Sequence, residues 1–171
     1  MTRCLITGLG GFVSVHVLEH ILSNTDWKVV GISSWKHKGL PERVQEVLKG
    51  DPTWPDRVEI ITHDLISPLT EMTKKRIGYC DYILNIASES HVDRSITDPV
   101  PFVQNNVNLA LNMLELAREM KPAKFIQFST DEVYGVAPDG VNHKEWSEII
   151  PSNPYSASKA AQEALAIAYW R

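Results

Sequence analysis

The chain has 171 residues, 43% of them hydrophobic and 22% charged, with a formal net charge of −4. That length supplies one sizeable core, burying roughly 70% of the surface an unfolded chain would expose, so a single domain is expected. The mild acidity gives no reason to expect nucleic-acid binding. Cys4 and Cys80 offer neither a disulfide framework nor a zinc spacing, and no metal is implied. The N-terminus runs straight into Cys4-Leu5-Ile6-Thr7-Gly8 with no charged leader or long apolar stretch, so a cytoplasmic chain without a membrane segment is the expectation.

The first apolar run, Arg3 to Thr7, reads as a β-strand, and Thr7-Gly8-Leu9-Gly10-Gly11-Phe12-Val13-Ser14 follows it. From Phe12 to Leu22, Val13, Val17, Leu18, Ile21 and Leu22 recur at helical spacing, which places the glycines in a strand-to-helix turn. Glycines there permit positive φ and let backbone N–H groups approach a pyrophosphate at the helix N-terminus. Gly8 and Gly11, with Gly10 between them, match a GxxGxxG turn. Ser14 replaces the third glycine with a side chain small enough for close helix–strand packing. Such a turn also serves geometry alone; its place at the first crossover of an alternating chain is what points to a dinucleotide.

The second strand, Lys28 to Ser33, runs into Ser33-Ser34-Trp35-Lys36, where an acidic residue would bind a ribose 2′-hydroxyl. Hydroxyls followed by Lys36 and Lys38 suit a 2′-phosphate at least as well as a free ribose, so these residues leave NAD and NADP nearly even. The bland alternative for Lys36-His37-Lys38 is a solvated basic loop. A helix is predicted over Pro41 to Leu48, with proline in its first turn, and a third strand over Val58 to Thr62. Asp64 follows, either accepting from an adenine amino group or capping a turn. Leu69 to Ile77 reads as a weakly amphipathic helix, Tyr82 to Ala87 as a strand, Val100 to Met120 as the longest helix, and Lys124 to Ser129 as the fifth strand. Tyr155 to Arg171 is an Ala-rich helix in which the chain stops. This alternation predicts an α/β fold, a Rossmann-like doubly wound parallel sheet with helices on both faces.

Two clusters carry chemistry. Ser129-Thr130-Asp131-Glu132 follows the fifth strand, and in open parallel sheets ligands bind outside the carboxyl ends of the strands. Tyr155 and Lys159 stand one helical turn apart on one face. An ammonium nearby, with a nicotinamide positive charge, favours phenolate and lowers the tyrosine pKa toward that of a working base. A surface pair on a helix is the plain alternative, and the company of the other motifs is what makes this pair specific.

"TGLGGFVSVHV", "ASESHVDRSITDP", "FVQNNV", "STDEVYG" and "PYSASKAAQE", in that order over nearly the whole chain, resemble the extended short-chain dehydrogenase/reductases and, within them, the dTDP-glucose 4,6-dehydratases. The adjacent Asp131 and Glu132 are the sharp element, since related epimerases and decarboxylases do not carry both. The resemblance implies that Tyr155 is the base for oxidation at sugar C4, with Lys159 lowering its pKa and holding the nicotinamide ribose. It implies that Thr130 bonds the reacting hydroxyl, that Glu132 takes the C5 proton and that Asp131 protonates the departing C6 hydroxyl. Phe12 and Val13 would lie along the pyrophosphate, Asp64 and Leu65 around the adenine, and Ile86, Ala87, Ser88 and Ser90 on the nicotinamide side with Asn105 nearby. Ser90 would also touch the sugar. Glu89, His91, Asp93 and Arg94 read as polar scaffolding.

By the same resemblance, residues 1–171 form one NAD(P)-binding domain ending within the Tyr/Lys helix, and the substrate-gripping C-terminal region of the family is absent from them. The substrate would be a nucleotide sugar, and the partner a second copy, through the two longest helices, or another chain completing the fold. The alternatives are another nucleotide-sugar epimerase or reductase of the extended family, and a non-catalytic dinucleotide-binding or structural protein. Two departures bear on cofactor choice: no acid stands at Ser33, and Ser14 is not glycine.

Overall fold

The computed structural model describes residues 1–36 and 38–171; His37, inside the basic stretch noted above, lies outside the described residues. Five strands form the sheet: β1 (Arg3–Thr7), β2 (Lys28–Ser33), β3 (Val58–Thr62), β4 (Tyr82–Asn85) and β5 (Lys124–Gln127). The helices are α1 (Phe12–Asn24), α2 (Pro41–Leu48), α3 (Glu71–Ile77), α4 (Val92–Thr97), α5 (Pro99–Met120) and α6 (Pro154–Trp170). Every strand pairing is parallel and the order is β3-β2-β1-β4-β5.

Period-two alternation along the strands sorts the side chains into two cores. Leu5, Val30 and Ile83 face Leu109, Ala110 and Met113 of α5. Cys4, Ile6 and Val29 face Leu18, Ile21 and Leu22 of α1 and Val44 of α2. The sheet is therefore covered on both sides, the doubly wound arrangement expected. The strand order reverses between β1 and β4, which makes their carboxyl ends the switch point where such sheets bind ligands. No helix among the described residues is long and apolar enough to cross a membrane.

Several boundaries differ from those predicted. β4 stops at Asn85 rather than Ala87 because the Ile86 and Ala87 N–H groups donate to Thr7 Oγ1, both at 2.9 Å. β5 stops at Gln127, not Ser129, and the Phe128 carbonyl just past its end accepts from Lys159 Nζ at 2.6 Å. α3 starts at Glu71 because Thr70 caps it, accepting from the Thr73 N–H at 3.1 Å. α4 was not foreseen, since six residues are too few to carry a helical period; it holds Asp93 and Arg94, with His91 at its N-cap. α6 opens on a reciprocal cap: Asn153 accepts from the Ser156 N–H, and Ser156 Oγ from the Asn153 N–H, with Pro154 at the first position.

Candidate functional site

The carboxyl ends of the strands open into one cleft of about 630 Å³ that runs from the end of β2, across the β1/β4 switch point, to Tyr155 and Lys159. At its centre is the glycine turn. Gly8 has φ +68, and a Cβ there would come within 3.0 Å of the Ala87 Cα, so glycine is required by both conformation and space. The Gly11 N–H closes the turn on the Gly8 carbonyl at 2.7 Å. Gly11 caps α1 with no side-chain hydrogen bond, which leaves first-turn amides for an anion in the cleft. Ser14 is buried and donates to the Thr7 carbonyl at 3.1 Å, so it takes the third glycine's place with a bond to β1. Phe12 and Val13 line the cleft and are 69% and 48% exposed although they open a helix whose inner face is buried.

Toward β2 the cleft wall includes Ser33, Ser34, Lys36, Lys38 and Arg43, faced by Asp64 and Leu65. Lys36 Nζ donates to Asp64 Oδ2 at 2.6 Å, and the Ile66 N–H to Asp64 Oδ1 at 3.2 Å. Burial pushes the Asp64 carboxyl up, but the Lys36 and Ile66 hydrogen bonds and the Lys36 charge outweigh it and hold the group below the usual carboxylate value. Asp64 thus caps its own turn and pairs with the lysine at once. Gly10 and Trp35, both expected at the cofactor, are not part of the wall. They are packed against each other: a Cβ at Gly10 would lie 2.8 Å from the Trp35 ring. Trp35 holds φ 56 with its Nε1 donating to Thr62 Oγ1 at 2.9 Å.

Beyond the switch point, Ile86, Ala87, Ser88, Ser90 and Asn105 line the cleft. The loop carrying the first four is fixed by a buried side chain of α5, Asn106, which accepts from the Glu89 N–H at 2.8 Å and donates to the Glu89 carbonyl at 3.0 Å and to Ser158 Oγ at 2.8 Å.

At the far end, Tyr155 and Lys159 face the cleft from the first turns of α6. The Tyr155 N–H is anchored on Ser95 Oγ of α4 at 3.1 Å. Thr130, Asp131 and Glu132 are outside the cleft wall, on the short 3-10 turn Asp131–Tyr134 that follows β5. Burial raises the Tyr155 phenol above its ordinary value; a hydrogen bond with Thr130 pulls it back, and Glu132 and Asp131 push it further up. The expectation that Lys159 lowers the phenol is not met by the chain's own groups, because the ammonium is held instead by the Phe128 carbonyl at 2.6 Å and Gln162 Oε1 at 2.7 Å. Burial, against a pull from Glu163, lowers the Lys159 pKa to about 8.

Asn153 and Glu163 were missed from sequence. Asn153 Nδ2 donates to Glu132 Oε2 at 2.9 Å, fixing that carboxylate to the N-terminus of α6. Asn-Pro ahead of a helical run is a capping signal, but the cap uses only the side-chain oxygen and leaves the nitrogen for Glu132. Ser129 Oγ, at the cleft, donates to Glu163, one turn past Lys159. Asp131 is exposed and Glu132 half-buried, so the two carboxylates differ in environment. A bare turn, open amides and cations beside a cleft of this size fit a dinucleotide.

A family model described as GDP-mannose 4,6 dehydratase matches residues 5–171. The low-salt glycan biosynthesis protein Agl12 of Haloferax volcanii is 34% identical over 165 residues, covering 96% of this chain and 51% of its own. The dTDP-glucose 4,6-dehydratase of Salmonella typhimurium is 34% identical over 187 residues, covering 99% of this chain and 50% of its own. Among solved structures, the dTDP-glucose 4,6-dehydratase DesIV of Streptomyces venezuelae, with NAD bound, superimposes with a TM-score of 0.87 at 29% identity over 98% of this chain and 51% of that one. The chain spans about half the length of the curated relatives it matches.

Proposed function

Because this chain belongs to the NAD-dependent epimerase/dehydratase family, the extended short-chain dehydrogenase/reductases, we propose that it carries the cofactor-binding and acid–base groups of a nucleotide-sugar 4,6-dehydratase of the dTDP-glucose type. The observation that carries this reading is the 3-10 turn. It presents Asp131 and Glu132 side by side, ties Glu132 to Asn153, and sets the Thr130 hydroxyl where it acts on the tyrosine phenol.

Tyr155 takes the proton of the sugar C4 hydroxyl, with Thr130 hydrogen-bonded to the same oxygen. The phenol needs positive charge beside it to ionise, which the nicotinamide of a bound cofactor would supply, while Lys159 would hold the nicotinamide ribose. The C4 ketone acidifies the C5 proton, which Glu132 removes from the position Asn153 gives it. Asp131, open to solvent, donates a proton to the C6 hydroxyl, which leaves as water. These two steps ask for one carboxylate ionised and the other protonated at the same pH. When bound in the cleft, NAD or NADP supplies the hydride acceptor for C4 and the donor for C6.

The test mixes the chain with dTDP-glucose and NAD or NADP and follows product mass and cofactor absorbance. Loss of water to give a 4-keto-6-deoxy sugar is expected where a second chain completes the substrate side of the cleft, and little or none from the chain by itself. The combined variant Asp131→Asn, Glu132→Gln should accumulate reduced cofactor without water loss, because both groups act after the ketone forms. A product of unchanged mass would make the chain an epimerase; normal dehydration by the double variant would remove these two residues from the mechanism.

A further inference from the structure

A line of buried amides runs from the phosphate turn to Lys159, and no step above uses it. Thr7, Asn85 and Gln162 are fully buried and Lys159 is 2% exposed. The direction of each bond follows from one end. The Ile86 and Ala87 N–H groups can only donate, and both end on Thr7 Oγ1. A hydroxyl has two lone pairs and one proton, so the Thr7 proton goes to Asn85 Oδ1, 2.9 Å away. Asn85 Nδ2 is thereby turned to Gln127 Oε1 at 2.8 Å. Gln127 Nε2 must then donate, and it reaches Gln162 Oε1 at 2.9 Å and the Phe128 carbonyl at 3.0 Å. Gln162 is pinned at its other end by Nε2 on the Asn106 carbonyl at 2.6 Å. Its oxygen has no choice but to face Lys159.

We propose that Gln162 is a positioning residue for Lys159, its acceptor locked from the phosphate turn through Thr7, Asn85 and Gln127, so that the amine's remaining valence is aimed into the cleft. This rests on Lys159 working in that cleft, as argued above. With the Phe128 carbonyl and Gln162 Oε1 both accepting, the amine donates twice in either charge state. Protonated, it offers a ligand hydroxyl a third N–H; neutral, it offers a lone pair. A single proton therefore reverses the sense of hydrogen bonding at the cleft. Both acceptors are neutral. The carboxylates around the amine are Glu163 on α6, which favours the ammonium, and Asp131 and Glu132, which act on Tyr155 from the 3-10 turn.

The test is lysine-selective ¹³Cε NMR of the whole chain across pH, with urea unfolding alongside. Gln162→Met keeps the length of the side chain and removes the acceptor, and the Lys159 midpoint is expected to fall by about one unit or more. Gln162→Glu keeps the shape and adds charge, and should lift the midpoint above that of the unaltered chain. In the unaltered chain the Gln162 side-chain amide resonances should titrate with the Lys159 midpoint, a measurement that needs no variant to fold. A Lys159 midpoint unmoved in both folded variants, or a Gln162 amide indifferent to the lysine's titration, overturns the proposal, whatever happens to the urea midpoint. If the titrations come out as expected but no dinucleotide binds, Gln162 keeps this role and the proposed activity falls.

Discussion

Replacing Lys159 by methionine should change how stability depends on pH, in one direction only. Lys159 is 2% exposed, and burial lowers its pKa from 10.5 to about 8 against the pull of Glu163. Between those values the unfolded chain holds a proton that the folded chain has released, so the lysine's contribution to stability rises with pH across that window. It is complete above the unfolded value and lost as pH falls through the folded one. The gap between the two values is worth about 3 kcal/mol in all, of which about 1 kcal/mol is regained from about pH 7 to about pH 9. Cys4 and Cys80 act the other way. Burial first of all raises them from 9.0 to about 12 and about 11, so the folded chain keeps their protons longer and loses stability above about pH 9. That loss is common to both proteins and cancels in the difference. Urea unfolding by tryptophan fluorescence, from about pH 7 to about pH 10, should show the unaltered chain gaining on Lys159→Met throughout. A difference flat across that range would refute the burial argument, and one that falls would mean that Glu163 governs the lysine.

Gly8→Ala combines a left-handed backbone at φ +68 with a Cβ 3.0 Å from the Ala87 Cα, and should cost about 2–3 kcal/mol in urea unfolding; Gly78→Ala, at φ +63 with open space around it, should cost only about 1 kcal/mol. Equal losses would show that the approach of Ala87 carries no constraint. Ser33→Asp should move the ratio of NADP to NAD dissociation constants toward NAD by about tenfold or more, by supplying a ribose-binding carboxylate and repelling a 2′-phosphate. An unchanged ratio would mean that the end of β2 does not read the 2′ position.

Features encoded by neighbours in sequence were legible, and those encoded across the fold were not. Gly8 announces its backbone by being glycine, Tyr155 and Lys159 announce a shared face by their spacing, and alternation in β1 and β2 announces a sheet covered on both sides. Asn85, Gln127 and Gln162 carry no such signal, because each bond between them joins residues 42 or 35 positions apart. Lys159 shows the cost of that blindness. Spacing places it beside Tyr155, while its actual partners, a carbonyl at the end of β5 and an amide on its own helix, follow only once the sheet is assembled. Gly10 belongs to the glycine turn by sequence, yet only the position of Trp35 reveals what occupies the space above it.

That contact limits how the segment after β2 can be rebuilt. The Trp35 ring fills the space above Gly10, while the Leu40 N–H and the Arg43 guanidinium both end on the Gly10 carbonyl. Trp35, Leu40 and Arg43 are therefore one mechanical part with the glycine turn, and a lineage cannot remodel these residues without disturbing the turn. Side chains such as Ser33 and Lys36 can be exchanged while the ring stays seated. A loop grafted from a relative would need its own matching glycine turn to travel with it.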